Sequence, residues 1–376
     1  MSTSHPEHMR AAVWEGEGLT VQTIKVPRPR SREALVKVTS CGVCHTDLHV
    51  MKGEVRFPHP AVLGHEISGT VVELGPDCDD TGLAVGSRVV GAFIMPCETC
   101  ERCLEGRDDL CLNFFAQNRL NGTLYDGESR LARVDGSPLA MYSMAGLAEY
   151  SVVPVSALAA VPDGIPEVEA AILGCAVFTA YGAVRRAAEV VRGESVAVVA
   201  VGGVGASIIQ ICKQLGAAPI IAVDIDDEKL AAAAELGADV TINSSVVDPV
   251  AEIKRLTGGE GVHVAFEALG LPATFGTAVA SLREGGRMIA VGIGAGEAAA
   301  SVPITPLVRR GLTIKGSFGA RTRVDLPAVV ALAASGSFDL ERAVTRHYDL
   351  EEAPQAFDDL AHGRITGRAV VTMGAR

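Results

Sequence analysis

Aromatic residues make up only 4% of this 376-residue chain, which leaves few rings for stacking single-stranded nucleic acid. Positive charge is also short, since 33 Lys and Arg against 45 Asp and Glu leave a formal net charge of −12. Proteins that bind polyanions carry a basic surplus, so neither nucleic acid nor an anionic membrane is an expected partner. No apolar run is long enough to cross a bilayer, and the most apolar tract, Ser195 to Ala206, is cut by glycines. The first ten residues, MSTSHPEHMR, lack the apolar core of a signal peptide. A cytoplasmic protein is expected. No internal repeat, low-complexity tract or charged tail is visible.

What is present is an ordinary globular composition, 48% hydrophobic and 21% charged. At roughly 150 residues per domain the length predicts two domains. Gly is abundant at 41 residues, which points to many tight turns. Nine cysteines in a cytoplasmic chain point to metal or redox chemistry rather than to disulfides.

The first half reads as β-rich, with β-branched runs at 34–39 and 67–74 followed closely by Gly or Pro. Residues 112–145 form a polar, Gly-containing stretch without periodicity, too long for an ordinary connection, and are expected to be a functional or interface excursion. From about 177 the pattern changes. Buried strands are predicted over 195–201, 219–224, 239–242, 263–268, 287–291 and 313–316, with helices over 205–215, 228–236, 249–256 and 274–282. Such alternation predicts an α/β domain with a doubly wound parallel sheet, and about six strands complete a dinucleotide-binding (Rossmann) fold.

The first of these strands runs into Ala200-Val-Gly202-Gly203-Val204-Gly205. In G-x-G-x-x-G the first glycine makes a tight turn, the second bares the backbone under a pyrophosphate and the third lets helix and strand meet. Ala200 occupies the first place, which is tolerable only if the turn keeps φ negative. The helix N-terminus behind the turn offers N–H donors to phosphate. Asp224 ends the next strand nineteen residues after Gly205, and no Arg stands in Ile225-Asp226-Asp227. An acid there accepts from a ribose 2′-hydroxyl and repels a 2′-phosphate, so NAD is favoured over NADP. Asp224→Gly is accordingly expected to move preference toward NADP.

Cys97, Cys100, Cys103 and Cys111 read C-x2-C-x2-C-x7-C. Four thiolates close a tetrahedral zinc, so this site is expected to be structural. The ferredoxin run has its fourth Cys sooner and followed by Pro, whereas Leu112 follows Cys111. Two dense polar clusters, Cys44-His45-Thr46-Asp47-Leu48-His49 and Gly64-His65-Glu66, are joined by Cys175 just before the nucleotide domain. Two Cys and one His with an open position form a known ligand set of catalytic zinc, and a cleft between domains can gather ligands from separate segments.

With Gly42-Val-Cys44-His-Thr-Asp47, Gly64-His65-Glu66, the four-cysteine lobe, Leu173-Gly-Cys175 and the glycine turn together, the chain resembles a zinc-dependent alcohol dehydrogenase of the medium-chain dehydrogenase/reductase superfamily. The resemblance spans about residues 10–375. It implies a GroES-like catalytic domain over 1–176 and 320–376, with a structural zinc lobe at 94–112, and a Rossmann domain over 177–319. It implies Cys44, His65 and Cys175 as catalytic zinc ligands, Glu66 as the residue that approaches the metal, and Asp47 as the partner of His65. Thr46 would take the substrate hydroxyl proton and His49 would pass it to solvent by way of the nicotinamide ribose. Cofactor contacts fall on His45, Thr179, Gly202, Gly203, Val204, Gly205, Asp224, Lys229, Val291, Ile293, Phe318 and Arg368, with His45 and Arg368 on the pyrophosphate. Phe93 and Ile293 suggest an apolar pocket for a primary or aromatic alcohol.

The implied cofactors are two zinc ions and NAD. The implied partners are a small alcohol or aldehyde and a second copy of the chain, as a homodimer, with a homotetramer as the other form. A formaldehyde–thiol adduct dehydrogenase is the same-scaffold alternative. A zinc-free NADPH reductase is disfavoured by the metal-type residues and Asp224, and a metal-stabilised binding module by the negative charge.

Overall fold

The β-branched runs of the first half become the long antiparallel pair Glu33–Val43 and Ile67–Leu74 in the computed structural model, which describes residues 5–374 apart from Ala295 and Glu297. They lie at the centre of a sheet ordered Leu158–Ala160, Arg88–Gly91, Ile67–Leu74, Glu33–Val43, Arg368–Thr372 and Val344–Asp349, with Tyr150–Pro154 also paired to Glu33–Val43. A central strand has neighbours on both edges and is covered on both faces. Nine of the eleven residues of Glu33–Val43 are therefore buried, and alternation is lost.

A second sheet is ordered Leu19–Lys25, His8–Trp14, Ala61–Val62, Pro138–Met141 and Leu131–Ala132. It takes in part of residues 112–145. That stretch is built into the domain, with one π-helical segment, Phe114–Arg119, and two strands of this sheet. Phe114, Leu124, Leu131, Leu139, Met141, Tyr142 and Met144 are all buried. Strands of two and four residues are too short to carry a period, so the pattern was invisible.

The second half forms a six-stranded sheet ordered Val240–Asn243, Ile220–Asp224, Val196–Val199, Val262–Glu267, Leu282–Ala290 and Thr313–Gly316, parallel throughout. In sequence order this is 3-2-1-4-5-6, the arrangement of a complete dinucleotide fold. Helix Gly203–Leu215 begins two residues before the predicted start, directly at the glycine turn. Asp226 and Asp248 cap the next two helices, each accepting from two backbone N–H groups. The last predicted helix is shifted to Pro272–Ala280, because Leu282 already opens a strand and pairs with Val262. Ala197, Val199, Ile221, Val223, Ile242, Ile253, Leu282 and Met288 pack as one buried core.

Contacts divide the chain into two compact units. The first holds the described residues up to Cys175, with Arg321–Ala334 and the residues from Val344 onward; the second holds Ala176–Ala320 and Ser335–Ala343. Residues 335–343, placed by sequence with the catalytic domain, belong to the second unit. The Asp339 amide donates to Gln210 Oε1 at 2.8 Å, and Phe338 and Leu340 are buried. Among the described residues no helix is long and apolar enough to cross a membrane.

Candidate active site

Cys44 directly follows the central strand and stands at the N-cap of helix His45–Met51. His65 and Glu66 directly precede the neighbouring strand, Ile67–Leu74. Cys175 follows the 3₁₀ segment Glu169–Gly174. All belong to the first unit, so one unit gathers them and no inter-domain cleft is needed. One possible ligand atom from each of Cys44, His65, Glu66 and Cys175 lies within 4.8 Å of the others, and all four residues are buried. Gly42 makes room for this arrangement: a Cβ there would lie 2.5 Å from Glu66 Oε2.

Asp47, fully buried, accepts from the Gly64 amide at 3.0 Å through Oδ1. Its Oδ2 lies 3.0 Å from His65 Nδ1, off the ideal N–H direction. His65 Nε2 and Glu66 Oε2 are buried without a hydrogen-bond partner. Buried polar atoms are normally satisfied, and two unsatisfied ligand-type atoms beside two sulfurs fit a metal ion. Burial works against a charged His65, but Asp47 and Cys44 outweigh it and bring the imidazole up to about 10. The Cys175 thiol, which donates to Cys44, drives Cys44 well below its ordinary value; burial opposes this and His65 adds to it. Burial pushes Glu66 up to about 7, although Arg368 pulls the other way.

Arg368 is itself buried and is ion-paired with Glu66 Oε1. The side chain that the resemblance assigned to a pyrophosphate is thus engaged inside the candidate metal cluster. Phe93 stands edge-on to His65 at 6.0 Å between ring centroids. Tyr142 does the same at 6.2 Å and packs on Phe57 at 4.8 Å, with the Arg119 guanidinium 4.2 Å over its ring. Sequence reasoning missed Phe57, Arg119 and Tyr142, because they come from segments without a motif. It also missed Glu54, which hydrogen-bonds His49 Nδ1 from just beyond the end of the same helix. Thr46 is half-buried on that helix, and His45 is exposed with its ring 6.5 Å from that of His49.

The four-cysteine lobe is also assembled. Its sulfurs lie within 4.8 Å of one another, with Cys97–Cys103 and Cys100–Cys111 each 4.0 Å apart. Four sulfurs at 2.3 Å from one tetrahedral ion would stand about 3.8 Å apart, so the lobe fits zinc nearly as it stands. Backbone amides of Cys97, Cys100 and Phe114 donate to these sulfurs at 3.3–3.4 Å. Burial raises Cys97, but hydrogen bonds from Thr99 and the Cys100 amide outweigh it and bring the thiol down to about 6.

In the second unit the glycine turn corrects one expectation. Ala200 has φ +71°, the left-handed region, not a negative φ. A Cβ on Gly205 would lie 2.1 Å from the Ala200 carbonyl oxygen, so the third glycine makes the close helix–strand contact. Gly202 has nothing within 4 Å of its Cβ position, and Gly203 and Val204 open the helix. Asp224 already accepts three backbone bonds, from Val201 at 2.9 Å, Ile225 at 2.8 Å and Asp226 at 3.2 Å. Lys229 lies half-buried in the next helix, and Thr179 half-buried on helix Ala176–Tyr181. Val291, Ile293 and Phe318 follow the carboxyl ends of the last two strands, with Ile293 50% exposed. Ile225, Leu269 and Leu271, at the same end of the sheet, are 70%, 49% and 52% exposed and had no sequence signal.

A β-rich unit with a buried thiol–imidazole–carboxylate cluster and a four-thiol lobe, joined to a 3-2-1-4-5-6 sheet, defines a metal-dependent oxidoreductase. The comparisons agree with that class. The alcohol dehydrogenase GroES-like domain family matches residues 30–163, and the zinc-binding dehydrogenase family matches residues 203–335. Alcohol dehydrogenase from Geobacillus stearothermophilus is 35% identical over 370 residues, covering 97% of this chain and 99% of its own. S-(hydroxymethyl)glutathione dehydrogenase from Photobacterium damsela subsp. piscicida is 33% identical over 365 residues, covering 94% and 97%. The crystal structure of benzyl alcohol dehydrogenase from Acinetobacter calcoaceticus matches with TM-score 0.90 at 32% identity, covering 98% of this chain and 100% of that one. The chain belongs to the zinc-dependent alcohol dehydrogenase family of the medium-chain dehydrogenase/reductase superfamily.

Proposed function

We propose that the protein oxidises a primary or aromatic alcohol with NAD, and reduces the aldehyde or ketone in reverse. The observation that carries this reading is the buried cluster of Cys44, His65, Glu66 and Cys175, with His65 Nε2 and Glu66 Oε2 left unpartnered. Cys44, His65 and Cys175 would hold the catalytic zinc, and Cys97, Cys100, Cys103 and Cys111 the structural one. When bound, zinc supplies a Lewis acid for an alcohol or carbonyl oxygen, and NAD supplies the hydride acceptor.

The remaining work falls to side chains of this chain. Asp47 holds His65 Nδ1 so that Nε2 keeps its lone pair toward the cluster. Arg368 neutralises Glu66 and keeps that carboxylate beside the thiols. Thr46 accepts the substrate hydroxyl proton, and His49, oriented by Glu54, carries it to solvent. Phe93 gives an apolar wall against His65, which supports an apolar substrate. In the second unit Gly202 and the helix N-terminus leave the backbone open to a pyrophosphate, and Asp224 supports NAD over NADP. Ile225, Leu269, Leu271 and Ile293 offer exposed apolar surface to cofactor rings at the carboxyl end of the sheet. The first unit is the catalytic domain in this reading, and the second is the cofactor domain.

The edge strand Thr313–Gly316 is mostly exposed, and Ile304 and Val308 beside it are 76% and 73% exposed. An open edge with apolar flanks supports self-association, and we read a homodimer. We place the enzyme in the cytoplasm, where a thiol-rich lobe stays reduced.

The test is zinc content per chain followed by kcat/KM for benzyl alcohol, ethanol and S-hydroxymethyl thiol adducts with NAD. Two zincs and preference for benzyl alcohol are expected. A higher kcat/KM for a thiol adduct would move the substrate to that class. Two zincs without turnover of any of the three would refute the substrate reading.

A further inference from the structure

The strongest unexplained feature outside the metal cluster is the backbone of Ala200. Its φ of +71° is a conformation that residues with a Cβ rarely adopt. The surroundings hold it there from three sides. The Ala200 amide donates to the Val223 carbonyl at 2.8 Å. The next amide, Val201, donates to Asp224 Oδ2 at 2.9 Å. The Ala200 carbonyl is pressed against Gly205 so closely that a Cβ there would stand 2.1 Å away. Of these three restraints only the Asp224 bond is made by a side chain. The same carboxylate is fixed by the Ile225 and Asp226 amides through Oδ1.

We propose that Asp224 is a positioning residue for the phosphate-binding turn: it locks the strained Ala200–Val201 peptide, so cofactor choice and turn shape are coupled in this chain. The inference rests on the dinucleotide reading of this sheet. It changes what the simple selectivity argument expects. Asp224→Gly removes the group that repels a 2′-phosphate, but it also frees the turn to leave the left-handed region. The left-handed conformation is intrinsically disfavoured by roughly tenfold for alanine. Apparent affinity falls by the fraction of chains that lose the competent turn. Glycine occupies positive φ freely, so Ala200→Gly removes the need for the lock.

The experiment measures dissociation constants for NADH and NADPH by fluorescence, together with Tm of the unliganded protein, for A200G, D224G, D224N and A200G/D224G. D224G alone is expected to weaken NADH about tenfold without a gain in NADPH. A200G/D224G is expected to bind NADPH about tenfold tighter than D224G. D224N has one oxygen for the Val201, Ile225 and Asp226 amides, so the lock is weakened there too and A200G is expected to raise NADPH affinity further in that background. In the unliganded protein A200G should raise Tm more when Asp224 is intact than in the D224G background, because only the locked turn retains the strain. Equal NADPH affinity in D224G and the double variant, or additive Tm shifts, would overturn the proposal. Failure of the wild-type protein to bind either nucleotide would instead overturn the dinucleotide reading, while the Tm comparison would still test the lock.

Discussion

Asp47→Asn is the most informative single change in the first unit. Asp47 is fully buried and uses both oxygens, Oδ1 on the Gly64 amide at 3.0 Å and Oδ2 at 3.0 Å from His65 Nδ1. Asparagine is nearly isosteric and can keep its oxygen on the Gly64 amide. Its NH2 group then faces Nδ1 and must donate to it, so Nδ1 becomes the acceptor and the ring proton moves to Nε2. That places an N–H where a metal ligand needs a lone pair. Restoring the working tautomer would set two donors against each other at 3.0 Å in a buried site. Loss of a partner of this kind typically costs about 10–100-fold in metal affinity. The assay is zinc per chain after dialysis against a graded chelator, with the cysteine lobe as internal control. The variant should keep one tightly held zinc and lose the second at a chelator strength about 10–100-fold below that needed for the wild type. Two zincs of unchanged affinity in the variant would refute the assignment of His65 as a ligand fixed by Asp47.

Three further outcomes are expected. Cys44→Ser should abolish turnover while NADH still binds; unchanged turnover would remove Cys44 from the site. Gly205→Ala forces a methyl to 2.1 Å from the Ala200 carbonyl; an overpacking cost of about 1–3 kcal/mol, at about 2–4 °C per kcal/mol, predicts a Tm lower by roughly 2–12 °C in scanning calorimetry, and no change would mean the helix yields freely. Burial raises the Asp126 carboxyl, but hydrogen bonds from Arg130 and the Glu128 amide outweigh it and bring it down to about 2. A depressed folded value means its stabilisation is present above the ordinary value of about 3.9 and is lost as pH falls toward 2. Asp126→Asn should therefore flatten the fall of Tm between about pH 4 and pH 2, and parallel curves would refute it.

Much of this protein is written in short-range pattern. Four cysteines within fifteen residues already specify a compact thiol site, because hooks of two residues cannot splay far. The six strands of the nucleotide domain were each legible, since a buried parallel strand is a brief apolar run bounded by turns. The glycine turn and Asp224 were legible for the same local reason. Tertiary structure decided what depends on distant partners. Arg368 meets Glu66 across 302 residues and so sits in the buried thiol–imidazole–carboxylate cluster. Tyr142 and Phe93 converge on His65 from segments that carry no motif. The sign of φ at Ala200 was expected to be negative and is positive, because a residue's own preference is overruled when Val223, Asp224 and Gly205 hold its peptide from three sides. Local spacing encodes which groups are available, while the packing of remote elements sets the backbone and the charge partners each group meets.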